Sequence, residues 1–320
     1  MSMFGIVAAL NGTGSGENPG YAGSVYMGDG GPARAVTGVG FSSDILLSLT
    51  LSSGSSKYIF DSQRGTDRVL RTEADAAELV TSQYLVSIDA GGFTVGASGG
   101  AMNVTSILYD MECFEESAAS GVDVVLASGT GIAHTIAHSL PVAPGMIWGK
   151  SRSGTRSWRV FHEDATGGAS SFLALNSSGG YASSSTVWNG TLPTSSVFSV
   201  GTANETNASG EDFVYYLFAE IAGKSKITSF TTNSLGAGSV SLGFGSVGMG
   251  LLKSESTGDW ILFSSAANGS MTSFSKYIAL NDATPAVTLG SPFMTVSSGT
   301  ASFVDLLSSN TKYLAYFTAP

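Results

Sequence analysis

The chain has 320 residues, a formal net charge of −10 from 14 Lys and Arg against 24 Asp and Glu, and a hydrophobic content of 42% that includes 17 Phe, 11 Tyr and 4 Trp. That aromatic content excludes a disordered chain, the acidity argues against a phosphate-backbone partner and against anionic membrane surfaces, and a single cysteine, Cys113, excludes an intramolecular disulfide framework. With only 12% charged residues and 42 glycines, the polar surface must be built from Ser, Thr, Asn and Gly, which weaken helices and suit short strands joined by tight turns.

The first segment, MSMFGIVAAL, has an apolar run without a basic start, and NGTGSGENPG follows it without a convincing cleavage context, so synthesis without a signal peptide is expected. No stretch reaches the roughly 18 apolar residues that span a bilayer. The Gly-rich run lacks the Lys-Ser/Thr of a phosphate loop. Residues 1–35 match nothing later in the chain and are expected to form a Gly-rich N-terminal arm.

From residue 36 three landmarks recur in one order. A hairpin ends in an aromatic strand at Phe60 (KYIF), Phe161 (WRVF) and Phe263 (WILF); a short strand surrounds Phe93, Phe198 and Phe293; an aromatic strand closes at Phe114, Phe218 and Phe317. The intervals are 33, 37 and 30 residues, then 21, 20 and 24. This predicts three tandem β-sandwich units of about 100 residues, over 36–118, 119–223 and 224–320, in an all-β fold. Lys57 stands where the later copies have Trp158 and Trp260. WRVFH alternates as a half-exposed strand does, whereas FVYYLFAEIAG is apolar nearly throughout and reads as a strand covered on both faces. RTEADAAELV, residues 71–80, offers Thr72 as N-cap with Asp75 three residues on and predicts a two-turn surface helix.

The chemistry-bearing patterns are sparse. His134 and His138 are four apart in HTIAH, but on a strand such residues lie about 13 Å from each other, too far for one metal. The acid pairs Glu115–Glu116, Glu163–Asp164 and Glu211–Asp212 are sequence neighbours, which a strand points to opposite faces, so they do not make a glycosidase pair by themselves. No catalytic residue, metal site or cofactor follows from the sequence. The segment GMIWGKSRSGTRSWRVFH, residues 145–162, is the strongest binding candidate: Trp148 and Trp158 with Lys150, Arg152, Arg156 and Arg159 could stack on bases or sugars. Strand alternation explains the same residues without a ligand.

The segments TIAHSLPVAPGMIWGKSRSGTRSWRVFH and TVWNGTLPTSSVFSVGTANETNASGEDFVYYLFAEIAGKSKITSF, and more faintly VTGVGFSSDILLS with KYIFDSQRGTDRVLRTEADAAE, resemble a repeat domain of predicted tail-fibre and other virion proteins of marine tailed bacteriophages. The resemblance covers roughly residues 36–320 and is strongest in the middle copy; ILLSLTL at 45–51 replaces the usual Trp-x-Lys, and the third copy lacks the WN…PT segment. It implies a virion structural protein, a fibre or spike subunit or a surface decoration. Its implied partners are other virion proteins and copies of itself, with a homotrimer first and a three-unit monomer at a pseudo-threefold position second. Contact with host-surface polysaccharide would fall to Trp188, Asn189, Trp158 and Arg156. Two further readings stay open: a free lectin-like protein with Trp188 and residues 176–194 as an exposed aromatic platform, and, ranked last, a polysaccharide depolymerase using scattered carboxylates.

Overall fold

The computed structural model describes residues 20–97 and 100–320. The chain is an all-β fold of antiparallel sheets, and three of the larger sheets begin with the same order of strands. In lobe one the order is Tyr21–Met27, Leu108–Phe114, Ile45–Thr50, Tyr58–Asp61. Lobe two has Val122–Ser128, Asp212–Phe218, Met146–Ser151, Arg159–His162. Lobe three has Ser225–Thr231, Lys312–Thr318, Met249–Ser254, Trp260–Ser264. Each lobe sets a smaller sheet against the large one, led by Arg34–Thr37, His134–Ala137 or Gly238–Ser241.

Two expectations change here. The arm foreseen over residues 1–35 does not extend to residue 35: Tyr21–Met27 pairs in register with Leu108–Phe114, and Arg34 and Ala35 pair with Val95 and Thr94, so residues 21–35 complete the first lobe. Residues 1–19 lie outside the described residues. The helix foreseen at 71–80 is a turn between the short strands Arg68–Arg71 and Leu79–Val80. The Thr72 hydroxyl donates to the Leu280 carbonyl of lobe three at 2.8 Å instead of capping a helix, and Asp75 spends its carbonyl on lobe two. Tertiary contacts outweigh a weak local propensity.

Ladder registers show which residues are equivalent. Phe60, Phe161 and Phe263 sit opposite Leu46, Ile147 and Gly250, one equivalent place in each lobe. The closing aromatics are not all equivalent. Phe114 and Phe218 face Ile45 and Met146, but in lobe three Thr318 faces Met249, and Phe317 is one residue earlier, opposite Gly250. A slip of one residue turns a side chain to the other face of the sheet, so Phe317 packs inside its own lobe while Phe114 and Phe218 point out of theirs. Gly250 explains the exchange: a Cβ there would lie 2.2 Å from the Phe263 ring, and Phe263 and Phe317 occupy the space that Leu46 and Ile147 fill elsewhere. The second landmark shifts as well, since Phe93 and Phe198 pair with Val36 and Ile136 while Ala301 takes that place opposite Val240.

The cores follow from this alternation. Phe213, Tyr215 and Leu217 fill the interior of lobe two, and Val214, Tyr216 and Phe218 from the same strand face the opposite way. Lobes one and three have interiors of their own, around Phe60 with Phe93 and around Phe263 with Phe293. A fourth core gathers the outward faces of all three large sheets: Ile45, Leu47 and Phe114 meet Met146, Trp148 and Phe218, and both meet Met249, Leu251 and Tyr316. At its centre Phe218 lies 6.0 Å from Phe114, 5.2 Å from Trp148 and 5.2 Å from Tyr316, ring to ring. The lobes thus close into a ring, with residues 115–121 and 219–224 as its two covalent links. These links lie together: Lys224 Nζ donates to Ala119 O at 3.1 Å, Glu115 N–H to Gly20 O, and Ala319 N–H to Lys224 O. The first described residue and the end of the last strand therefore lie at the same end of the ring.

Candidate functional site

Most of the buried charged side chains lie at the seams between lobes. In lobe three Lys253 and Trp260 face each other across the hairpin, and both are buried. Trp260 Nε1 donates to Ala174 O of lobe two at 2.9 Å, and Lys253 Nζ donates to Ser178 O and Gly258 O. In lobe two Trp158 Nε1 donates to Arg71 O of lobe one at 2.9 Å, and Lys150 Nζ to Asp75 O and Ser151 O at 3.1 and 2.8 Å. In lobe one Lys57 occupies the tryptophan's place, and its ammonium reaches Asp282 O and Thr284 O of lobe three at 2.6 and 2.7 Å. Contacts therefore run from one to three, three to two and two to one, as a closed ring requires.

A buried ammonium is costly unless its donors are satisfied. Each of the three lysines meets two backbone carbonyls, yet desolvation still holds Lys150 and Lys253 down to about 8 and lowers Lys57. Apart from Ser151 O, on the lysine's own strand, the carbonyls come from loops that these hydrogen bonds pin in place. Each lysine acts as a rivet between a sheet and its neighbour's loop.

Another equivalent place, at the end of the aromatic strand, holds Asp61, His162 and Ser264. Asp61 accepts from Tyr216 OH of lobe two at 2.7 Å and pairs with Arg64 Nε at 2.5 Å. Arg64 also reaches Glu78, the Ile59 carbonyl and Tyr216 OH, so all three nitrogens of this buried guanidinium are engaged. His162 Nε2 lies 3.4 Å from Ala315 O of lobe three, and burial pushes the imidazole down to about 4. Ser264 Oγ donates to Asp110 Oδ2 of lobe one at 2.6 Å.

The residues expected to touch a ligand do not form one site. Trp158 and Trp188 are both buried and lie on opposite faces of one sheet, Trp158 in the shared core and Trp188 inside lobe two against Phe161. Trp188 is therefore not an exposed platform, because its indole is needed to fill the lobe. Asn189 is exposed and starts a left-handed turn, φ 54° followed by Gly190 at 57°. Arg156 pairs with Glu211 at 2.8 Å, and its backbone N–H donates to Asp75 O. The basic strip is internally spent: Arg152 binds Glu78, Arg159 binds Glu205, and Lys150 binds carbonyls. His134 and His138 lie at the strand His134–Ala137 and meet carbonyls of Ile132 and Thr194.

Reading the sequence missed the rivets and two carboxyl groups buried on the strand Leu108–Phe114, Asp110 and Glu112. A signal was present: MIWGKS and MGLLKS each place a lysine inside a run otherwise buried from end to end. On the surface, an open groove of about 620 Å³ lies beside the strands Ser225–Thr231 and Gly238–Ser241, lined by serines and by the Lys226–Glu220 ion pair. Among the described residues no three His, Cys, Asp or Glu side chains converge as a metal site would require.

A family model described as a domain of unknown function (DUF7483) matches residues 20–301. No curated protein matches the chain.

Proposed function

Since this chain belongs to the DUF7483 family over a span that draws on all three lobes, we propose that its working unit is the whole ring, serving as a bacteriophage virion structural protein. The reading is a fibre or spike subunit or a surface decoration. One observation carries it: the ring of lobes is closed within a single chain by a shared apolar core and by a riveted seam on each side.

Such a ring offers a rigid body of threefold appearance without disulfides. The aromatic faces between lobes are already covered inside one chain, so a pseudo-trimeric monomer needs no second copy to complete its core. The clustered links at one end, with Gly20 and Ala319 beside them, suit attachment of that end to a particle. Contact with host-surface glycans is assigned to exposed polar loops such as that of Asn189. The lectin reading loses its aromatic platform, because Trp188 and Trp158 are interior.

Electron cryo-microscopy of purified particles tests this reading, with light scattering on the isolated chain beside it. The expected results are density for the ring on the particle and a mass near 32.6 kDa in solution. Absence from particles would overturn the virion role, and a stable trimer of about three times that mass would overturn the monomer.

A further inference from the structure

Two seams of the ring are crossed by the chain itself, at residues 115–121 and 219–224, but lobe three meets lobe one through contacts alone. Those contacts include the Lys57 rivet, the Thr72 hydroxyl on Leu280 O, and Ser264 on Asp110. The short helix Ser265–Asn268 also packs on the strand Tyr21–Met27. The fit there is close: a Cβ at Gly23 would come within 2.9 Å of the Ala266 methyl.

At this seam the strand Leu108–Phe114 turns two carboxyl groups, Asp110 and Glu112, toward the shared core. They are two residues apart and so share a face, where lobe two has Val214 and Tyr216 and lobe three has Leu314 and Tyr316. Both are fully buried. Asp110 Oδ2 accepts from Ser264 Oγ at 2.6 Å, and Glu112 Oε2 accepts from Tyr21 OH at 2.5 Å. Among the described residues Asp110 Oδ1 and Glu112 Oε1 have no donor, and the two carboxyl groups are within hydrogen-bonding reach of each other. An ionised carboxylate only accepts, so a single proton held between the two groups supplies the donor that both oxygens lack.

The remaining titratable groups facing the pair are Tyr21 on its own strand, Cys113 beside Glu112, and Lys276 from lobe three, whose ammonium donates to Ala267 O at 2.9 Å. Neither carboxyl group has a cation within ion-pair distance among the described residues. We propose that one proton shared by Asp110 and Glu112 latches lobe three onto lobe one, and that its loss loosens this seam while the two chain-linked seams stay shut. Burial lifts Asp110 to about 6, and burial with the Asp110 charge lifts Glu112 well above the usual range. Groups raised in the folded state stabilise it fully at low pH, and that contribution drains away as pH climbs through their folded values. Loosening therefore sets in above the ordinary carboxylate value of about 4, and above about pH 6, where Asp110 has ionised, it continues until the last shared proton leaves.

Hydrogen exchange read by mass spectrometry on the full chain between pH 6 and 9 tests the latch. After correction for intrinsic exchange, peptides over 21–27, 108–114 and 260–268 are expected to open about tenfold more per pH unit wherever the closed seam holds one proton more than the open one. A peptide over 212–218 in lobe two is expected to stay constant. Asp110→Asn and Glu112→Gln each put a permanent N–H donor in the proton's place, and both are expected to flatten the pH dependence of the seam peptides. A flat wild-type profile, an equal loss across all lobes, or the wild-type slope in either variant would overturn the proposal.

Discussion

Lys253 and Trp260 are a cross-strand pair whose two polar ends both land on backbone carbonyls of the neighbouring lobe. Continuing the registers of the other lobes sets Lys150 beside Trp158 in the same way, and sets Lys57 beside Leu49 with the cation moved to the other strand. Lobe one thus keeps an ammonium at its seam after losing the tryptophan. This reciprocal exchange identifies the buried lysine, more than the indole, as the common element of the three seams.

Removing a rivet should cost stability and change its pH dependence. Lys150→Met leaves the carbonyls of Asp75 and Ser151 without this donor, for an expected loss of about 1–3 kcal/mol in denaturant titrations at neutral pH. The folded ammonium of Lys150 is held near 8, below its unfolded value, so its stabilising contribution is greatest above the unfolded value and falls as pH drops through 8. The gap between wild type and Lys150→Met should widen by roughly 1–3 kcal/mol between pH 7.5 and about 10. An unchanged gap would count against a buried cation.

His162 supplies an acid-sensitive counterpart. It is buried neutral with a value near 4, so unfolded chains bind a proton in the interval up to about 6.5 that the folded chain refuses. Stability from this site is complete above that interval and drains as pH falls through it, by up to about 3 kcal/mol. His162→Gln should remove this part of the acid slope in thermal or urea melts, and an identical slope in the variant would refute the assignment.

Trp158 and Trp188 should behave as core residues in binding and stability assays alike. Either Trp→Ala change should cost about 3–5 kcal/mol by opening a cavity, with a loss of cooperative unfolding if the lobe cannot re-close. Asn189→Gly should be close to neutral, since glycine accepts the left-handed turn, while Asn189→Val should lose about 1–2 kcal/mol. Comparable costs at Trp188 and Asn189→Gly would contradict the burial described.

Cys113 should be inert in the folded chain. It is fully buried and desolvation pushes its thiol far above the usual range. A thiol reagent should label it only after addition of denaturant, with the labelling rate tracking unfolding. Fast native-state labelling would mean that lobe one opens readily.

Composition and alternation were enough to establish the all-β class, because Gly, Ser and Thr disfavour helices and the period of two is written along each strand. The threefold recurrence of Phe60, Phe161 and Phe263 was also legible, since the first hairpin of each lobe keeps one register. Strand faces in the third lobe were not, because Gly250 lets Phe317 occupy the opposite face, and that depends on volume across a ladder rather than spacing along the chain. The turn at 71–80 escaped for a like reason: Thr72 and Asp75 are claimed by lobes three and two, and no local propensity records a partner about 75 or 208 residues away. The sequence determined that apolar residues would cover both faces of strands such as Asp212–Phe218. Only the tertiary structure decided what lies on the second face, a core common to all three lobes, because burial is a property of how separate sheets meet and not of any one of them.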